Sequence, residues 1–315
     1  MMAIELKLSR ADRIYRPSEH IEGTIIITSS SPISHHGIKI TINGAVNLQA
    51  RSGVTGVIDS LYGSVKPIKI MSKCVDVSHS RKLAAGKTLV PFSITLASPG
   101  SDEFFETFHG ENISIQYLIT ADVVRGYLHK PLSMTMEFII ESDRAKLMET
   151  IPSPEMVSFY ITQDTQSHQL LPELLSGGFR ISGKMVTQCT LSNPLTGDLT
   201  VEASAAQIES IDIQLLRVES ILVGEKFISE TSVIQTTQVA DGDVYRSMML
   251  PIYIIVPRLL TCPTVLAGQF SIEFQVSIVI TFRSELSKLY PKGDLRTPKP
   301  WLAMQTLPLR LIRTK

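Results

Sequence analysis

Two stretches of this chain echo each other at a spacing of 160 residues. Around Gly23 the sequence runs Ile21-Glu22-Gly23 into Thr24–Thr28, then Ser31-Pro32, then the alternating Ile38-Lys39-Ile40-Thr41-Ile42. It continues to Val90-Pro91-Phe92, Pro99 and Ile113-Ser114-Ile115-Gln116-Tyr117. Around Gly183 it runs Ile181-Ser182-Gly183 into Lys184–Cys189, then Asn193-Pro194, then Ile211-Asp212-Ile213-Gln214-Leu215. That copy closes with Leu250-Pro251-Ile252, Pro257 and Phe270-Ser271-Ile272-Glu273-Phe274-Gln275-Val276. A duplicated pattern of short alternating runs constrains the chain to two similar β-domains in tandem. Such a body offers edges and loops to partners and fits an adaptor better than a catalyst.

The alternation is of period two, which puts successive side chains on opposite faces of a sheet. Ile38, Ile40, Ile42, Val46 and Leu48 share one face, with Lys39, Thr41, Asn43 and Asn47 on the other. In Phe270–Phe282 the even positions are apolar, and Ser271, Glu273, Gln275 and Ser277 mark a face expected to be wet. Turn residues recur between the runs, as in Ser29-Ser30-Ser31-Pro32 and Asp241-Gly242-Asp243. The strongest helical window, Ser167–Leu175, is interrupted by Pro172. The expected fold class is therefore all-β, two tandem antiparallel β-sandwich lobes. Glu141–Pro154 carries charges and two prolines, and Val157–Ile161 reads as the strand that opens the second lobe. The break is placed at 150, giving lobes 1–150 and 151–315. Ser284–Pro300, with Lys288, Lys292, Arg296 and Lys299, reads as a solvated surface loop.

With 315 residues, each lobe is large enough to bury about 70% of its unfolded surface. Thirty basic residues balance thirty acidic ones, so no global field draws the chain to nucleic acid or anionic lipid. Cys74, Cys189 and Cys262 have no metal spacing and read as buried or half-buried thiols of a reducing compartment. Met1–Leu8 alternates in polarity as a strand does, without the apolar core of a signal peptide. Met248–Pro257 is the most apolar stretch, about half the length of a membrane helix. The expectation is a soluble, cytosolic protein that reaches membranes only through its partners.

Chemistry-bearing motifs are sparse. Gly177-Gly178 lacks the downstream Lys-Ser/Thr of a phosphate-binding loop, and no Gly-x-Ser-x-Gly, His-x-x-x-His or Cys-x-x-Cys is found. His35-His36 falls in an expected turn after Pro32, where a surface role is the ordinary reading. His109 lies near Glu103 and Glu106, but a histidine bonded at a loop end is commoner than an acid–base site. Trp301, the single tryptophan, is expected to cover a core edge. No catalytic residue, cofactor or metal is expected.

A set of stretches then becomes recognisable in order along the chain. They are Ser64-Val65-Lys66-Pro67-Ile68, Glu106-Thr107-Phe108-His109-Gly110, Pro194-Leu195-Thr196-Gly197-Asp198-Leu199 and Gln214-Leu215-Leu216-Arg217-Val218-Glu219. Ala240-Asp241-Gly242-Asp243-Val244, Pro251-Ile252-Tyr253 through Pro263-Thr264, and Leu307-Pro308-Leu309-Arg310-Leu311 complete it. In these the chain resembles the arrestin-like small subunits of the endosomal retromer and retriever assemblies, and most closely their C-type branch. The resemblance implies two arrestin-like lobes and a role in recovering membrane-protein cargo from endosomes, with the protein peripheral on that organelle. It implies as partners an α-solenoid large subunit with its small third subunit, and a sorting-nexin-type cargo adaptor. The family's docking loop matches Gln238, Val239, Ala240, Asp241, Gly242 and Asp243 here. Val239 and Ala240 would supply a small apolar contact beside an Asp-Gly turn, although a plain hairpin turn is the other reading.

Departures from relatives narrow the role. The chain ends shortly after its last expected strand, without the clathrin-binding tail of signalling arrestins, and no two prolines are adjacent as in ubiquitin-ligase adaptors. A buried charged core of the arrestin kind is not assignable from the sequence, so a phosphate-triggered switch is not expected. Two other readings remain: a free-standing arrestin-type trafficking adaptor, and a β-sandwich enzyme built from His109, Glu106 and Asp241.

Overall fold

A computed structural model describes residues 2–49, 66–96, 104–126, 131–141, 155–258, 260–285 and 298–313. The chain divides into two compact units, Met1–Asp143 and Arg144–Lys315. The break placed at 150, most of the Ser284–Pro300 loop, and Ser64, Val65, Pro99 and Glu103 lie outside the described residues.

The first lobe contains β1 (Met2–Leu8), β2 (Ile14–Tyr15), β3 (His20–Ser29), β4 (Ile33–Leu48), β5 (Ile68–Leu83), β6 (Gly86–Thr95), β7 (Phe108–His109), β8 (Ile113–Val124) and β9 (Leu132–Ile140). One sheet has the order β1-β3-β6, the other β2-β9-β8-β4-β5 with β7 beside β8. The second lobe contains β10 (Met156–Thr162), the short helix α1 (Pro172–Gly177), β11 (Phe179–Val186), β12 (Gln188–Thr190), β13 (Leu195–Ser204), β14 (Ile208–Val223), β15 (Lys226–Asp241), β16 (Met249–Ile254), β17 (Val265–Leu266), β18 (Phe270–Phe282) and β19 (Leu302–Ile312). Its sheets run β10-β11-β13-β16 and β12-β19-β18-β14-β15 with β17 beside β18. The fold is all-β, two arrestin-like lobes of mainly antiparallel sheets, each lobe with one short parallel pair. Pro172 starts α1 rather than interrupting it, because a first-turn position needs no N–H.

The internal repeat is real, but its register differs from the sequence alignment. By pairing order β1 corresponds to β11, β3 to β13, β4 to β14 and β5 to β15. Even the parallel pairs match, β2 on β9 and β12 on β19. Gly23 therefore sits on β3 and Gly183 on β11, which are not equivalent strands. The reason is one connection: residues 49–67 join β4 to β5, whereas only Gly224 and Glu225 join β14 to β15. The longer connection offsets the earlier part of the repeat from the later part. β10 and α1 have no counterpart among the described residues of the first lobe.

Both glycines still have steric work. A Cβ on Gly23 would lie 2.6 Å from the Phe92 ring, and one on Gly183 would lie 2.4 Å from the Phe159 ring. Each phenylalanine lies over a strand position that admits no side chain.

In the first lobe Ile38, Ile40, Ile42, Val46 and Leu48 are all buried, as alternation requires. Tyr15 and Tyr117 flank Phe138, each with ring centroids 5.9 Å from it. The Tyr117 hydroxyl donates to the Phe105 carbonyl at 2.7 Å. Burial, and next the charge of Glu106, push its pKa well above the ordinary phenol value.

The second lobe packs Ile211, Ile213 and Leu215 of β14 with Phe270, Ile272, Phe274, Val276 and Ile278 of β18. The polar row of β18 is not wet: Ser271 and Ser277 are buried, as are Val279 and Thr281. Small hydroxyls can leave water by bonding to one another. Thr306 donates to Ser277 at 3.3 Å, Ser271 to Glu273 at 2.8 Å and Ser210 to Asp212 at 2.7 Å. Continuing the Ile211–Leu215 row, Arg217 and Glu219 form an ion pair at 2.7 Å with side chains only 6% and 3% exposed. Trp301 is buried, as expected for a core edge.

Two further expectations are corrected. Cys74 is exposed, because β5 is an edge strand and Cys74 lies on its outward row; Cys189 and Cys262 are buried. Burial raises the Cys189 thiol to about 11, so it stays protonated near neutrality. His35-His36 is not in a turn but in β4, and His35 is 1% exposed while His36 is exposed. Neither His35 ring nitrogen has a hydrogen-bond partner among the described residues.

A candidate docking edge at the end of β15

The six residues singled out in sequence are not one loop. Gln238, Val239, Ala240 and Asp241 end β15, and only Gly242 and Asp243 lie beyond it. β15 is the outermost strand of its sheet, paired on one side with β14. Along that pair Ala240 faces Ile211 and Gln238 faces Asp212, so Val239 is the extra residue of a β-bulge. A bulge re-aims side chains and increases local twist. Val239 and Ala240 are half-buried, while Gln238, Asp241 and Asp243 are exposed.

Beyond the bulge the turn is held tightly. Gly242 adopts φ 85°, open to glycine without strain, and its N–H donates to the Glu209 carbonyl at 2.7 Å. The Asp243 carboxylate accepts from the Ile208 N–H at 3.2 Å and from Arg246 at 3.0 Å. Desolvation opposes ionisation of Asp243, but these donors outweigh it and hold the carboxyl below its usual range. Arg246 also donates to the Val244 carbonyl at 2.5 Å, and the Ser247 N–H donates to the Val201 carbonyl at 2.8 Å. The turn is thus tied to both β13 and β14.

What the turn presents is apolar. Tyr245 is 84% exposed, Met248 and Met249 are also exposed, and Tyr253 and Ile255 continue the row along and just past β16. Sequence reasoning missed these residues. The signal was available: β16 carries apolar residues on both of its faces, with Ile252 and Ile254 buried and Met249 and Tyr253 outward. An exposed cluster of tyrosine and methionine on a pinned turn has the composition of a protein-binding patch.

The residues named for an acid–base reading are placed differently. His109 meets Ser114 at 3.3 Å through Nδ1 and Glu137 at 3.0 Å through Nε2, both on its own sheet. Glu106 is buried, and Asp241 belongs to the other lobe. Among the described residues no helix is long and apolar enough to cross a membrane.

Comparison with known proteins adds to this geometry. The family described as Vacuolar protein sorting-associated protein 26, Vps26, matches residues 3–285. A protein of Dictyostelium discoideum named Vacuolar protein sorting-associated protein 26C is 36% identical over 283 residues, which cover 88% of this chain and 93% of that protein. A Plasmodium falciparum protein named Vacuolar protein sorting-associated protein 26 is 19% identical over 277 residues, covering 86% of this chain and 82% of its own.

Proposed function

The chain belongs to the Vps26 family, and on that footing we propose that it is a non-enzymatic scaffold subunit of a retriever-like or retromer-like complex that sorts and recycles membrane-protein cargo from endosomes. Similarity to the protein named 26C favours the retriever-like, C-type form. The partners are an α-solenoid large subunit, its small third subunit and a sorting-nexin-type cargo adaptor. The protein is cytoplasmic and peripheral on endosomes, reaching the membrane through these partners.

The observation that carries the docking mode is the apolar cluster beside a tied-down turn. Val239 and Ala240 at the bulge, with Tyr245 and Met249, form the contact for the large subunit. Helices of a solenoid present apolar ridges that can meet an apolar edge, and a preformed turn loses little entropy on binding. Gln238, Asp241 and Asp243 provide a polar rim that contributes orientation more than affinity.

A pull-down of cytosolic partners tests this, comparing wild type with Val239→Asp/Ala240→Asn and with Tyr245→Ser/Met249→Ser. Loss of a large helical-repeat subunit from both variants, with thermal unfolding unchanged, is the expected result. Truncated anchors of this kind cost about 2 kcal/mol or more, roughly thirtyfold in affinity. Recovery of no such subunit by wild type would overturn the assignment and favour a free-standing trafficking adaptor.

A further inference from the structure

The first lobe has its own long edge strand, β5, and one end of it carries basic side chains close in sequence and register. Beyond the bulge at Ile38/Lys39, Gly37 faces His79, His35 faces Arg81 and Ser34 faces Lys82. On the other side of β4, Gly37 faces Val124, which brings Arg125 to the same end of the sheet. His79, Ser80, Arg81 and Lys82 are all exposed, and so is His36. The sequence holds no Asp or Glu at residues 30–38, 77–88 or 123–126. Elsewhere in this lobe Lys7, Arg10 and Lys39 pair with Glu5, Glu19 and Asp76. Arg81 and Lys82 make no ion pair or side-chain hydrogen bond among the described residues. Buried His35 registers this field: desolvation, and then the Arg81 charge, lower its pKa.

We propose that the outer edge of β5 at Ser78–Lys82 is a docking site for an acidic segment of a partner protein, taken up in extended form as a further strand of the sheet. No described strand pairs with that edge, so its N–H and C=O groups remain a template for an added strand. Charges on an edge ordinarily prevent such pairing. Here they share one sign, Arg81 on the face of its partner His35 and Lys82 on the face of its partner Ser34, which makes the barrier selective on both faces. A second copy of this chain would set Arg81 and Lys82 against cations of their own kind. An incoming strand with carboxylates or phosphates at alternate positions presents them on one face, where they would meet Arg81 or, with the other face turned, Lys82 at cross-strand distance. Main-chain bonds then give affinity and the cations give the choice of sequence. The matching edge in the second lobe has no such filter, because Thr231–Ala240 contains no charged residue. The two lobes therefore select different partners.

The test uses the full chain and a fluorescein-labelled peptide of repeated Glu-Val, read by fluorescence anisotropy. Parallel titrations use a Lys-Val peptide, a Glu-Val peptide with alternate amides N-methylated, and vesicles of phosphatidylcholine with phosphatidylserine. We expect binding of the Glu-Val peptide alone, weakened about tenfold or more by Arg81→Glu/Lys82→Glu and weakened by added salt. Should the reversal variant fail to fold by circular dichroism, Arg81→Gln/Lys82→Gln reads the same contact. Equal binding by the folded variant overturns the proposal, as does equal binding of the N-methylated peptide. Capture by vesicles without capture of the peptide would assign the patch to a lipid surface instead. None of these results bears on docking at β15.

Discussion

Separating Arg217 from Glu219 is the sharpest test of how the second lobe is held together. Their ion pair is 2.7 Å long with side chains 6% and 3% exposed, so neither charge has water to fall back on. Register sets Arg217 opposite Phe274 and Glu219 opposite Ile272, both apolar. Arg217→Met leaves the carboxylate without its cation, and Glu219→Leu does the reverse. Each single change should cost about 3–5 kcal/mol. For a lobe of this size that lowers its unfolding temperature by roughly 6–20 °C. The double variant should cost at least about 2 kcal/mol less than the two singles together, since no lone charge remains and apolar side chains fill similar volume. It need not recover wild-type stability, because each residue also engages other groups. Urea unfolding followed by tryptophan fluorescence suits the question. Trp301 is the only tryptophan and lies buried in this lobe, so it reports the second lobe alone. Additive losses in the double variant, with coupling below about 0.5 kcal/mol, would refute the argument.

Three further outcomes are expected. Gly44→Ala should destabilise the first lobe by about 1–3 kcal/mol in a circular-dichroism urea titration, because its Cβ would lie 2.6 Å from the Tyr117 ring and 3.1 Å from Met71. His35 has a folded pKa below its unfolded value of about 6.5, so its contribution is complete above that pH and is lost as pH falls through the folded pKa. His35→Leu should therefore flatten the fall in first-lobe stability on acidification below about pH 6.5, measured by circular-dichroism melting. Asp243 is likewise depressed, and its contribution is present above about pH 3.9 and lost as pH falls through its folded value. Asp243→Asn should loosen the turn, seen as faster amide exchange at Ile208 with little change in overall melting.

How much of this was legible in the sequence depended on whether the signal was local. The alternation of Ile38–Ile42 and of Phe270–Phe282 identified strands and their inner faces, because a period of two is a property of one strand. Strand pairing is not local, and it undid the alignment of Gly23 with Gly183. The burial of Ser271 and Ser277 also escaped, since small hydroxyls look wet until their neighbours across the sheet are known. His35 was misplaced for a similar reason: Pro32 signals a turn, but β4 begins at Ile33 and turns that side chain inward. At the candidate docking edge the Asp241-Gly242 turn was readable from its residue types. The bulge at Val239 was not, because it exists only relative to β14. Tyr245, Met248 and Met249 went unremarked because an apolar run is ordinarily core. The family resemblance supplied Gln238–Asp243, and the β14–β15 register supplied their geometry.

The unequal connections within the repeat give the two halves different folding kinetics. β14 and β15 are a sixteen-residue strand pair closed by Gly224 and Glu225, with Gly224 at φ 64°. β4 and β5 have the same strand lengths but are separated by residues 49–67. Closing the longer link costs about 2 kcal/mol more in chain entropy. The C-terminal ribbon can zip outward from its turn, a local event on the microsecond scale for hairpins, while its N-terminal counterpart must first find its partner across the gap. We expect the C-terminal ribbon to organise before its N-terminal counterpart on refolding.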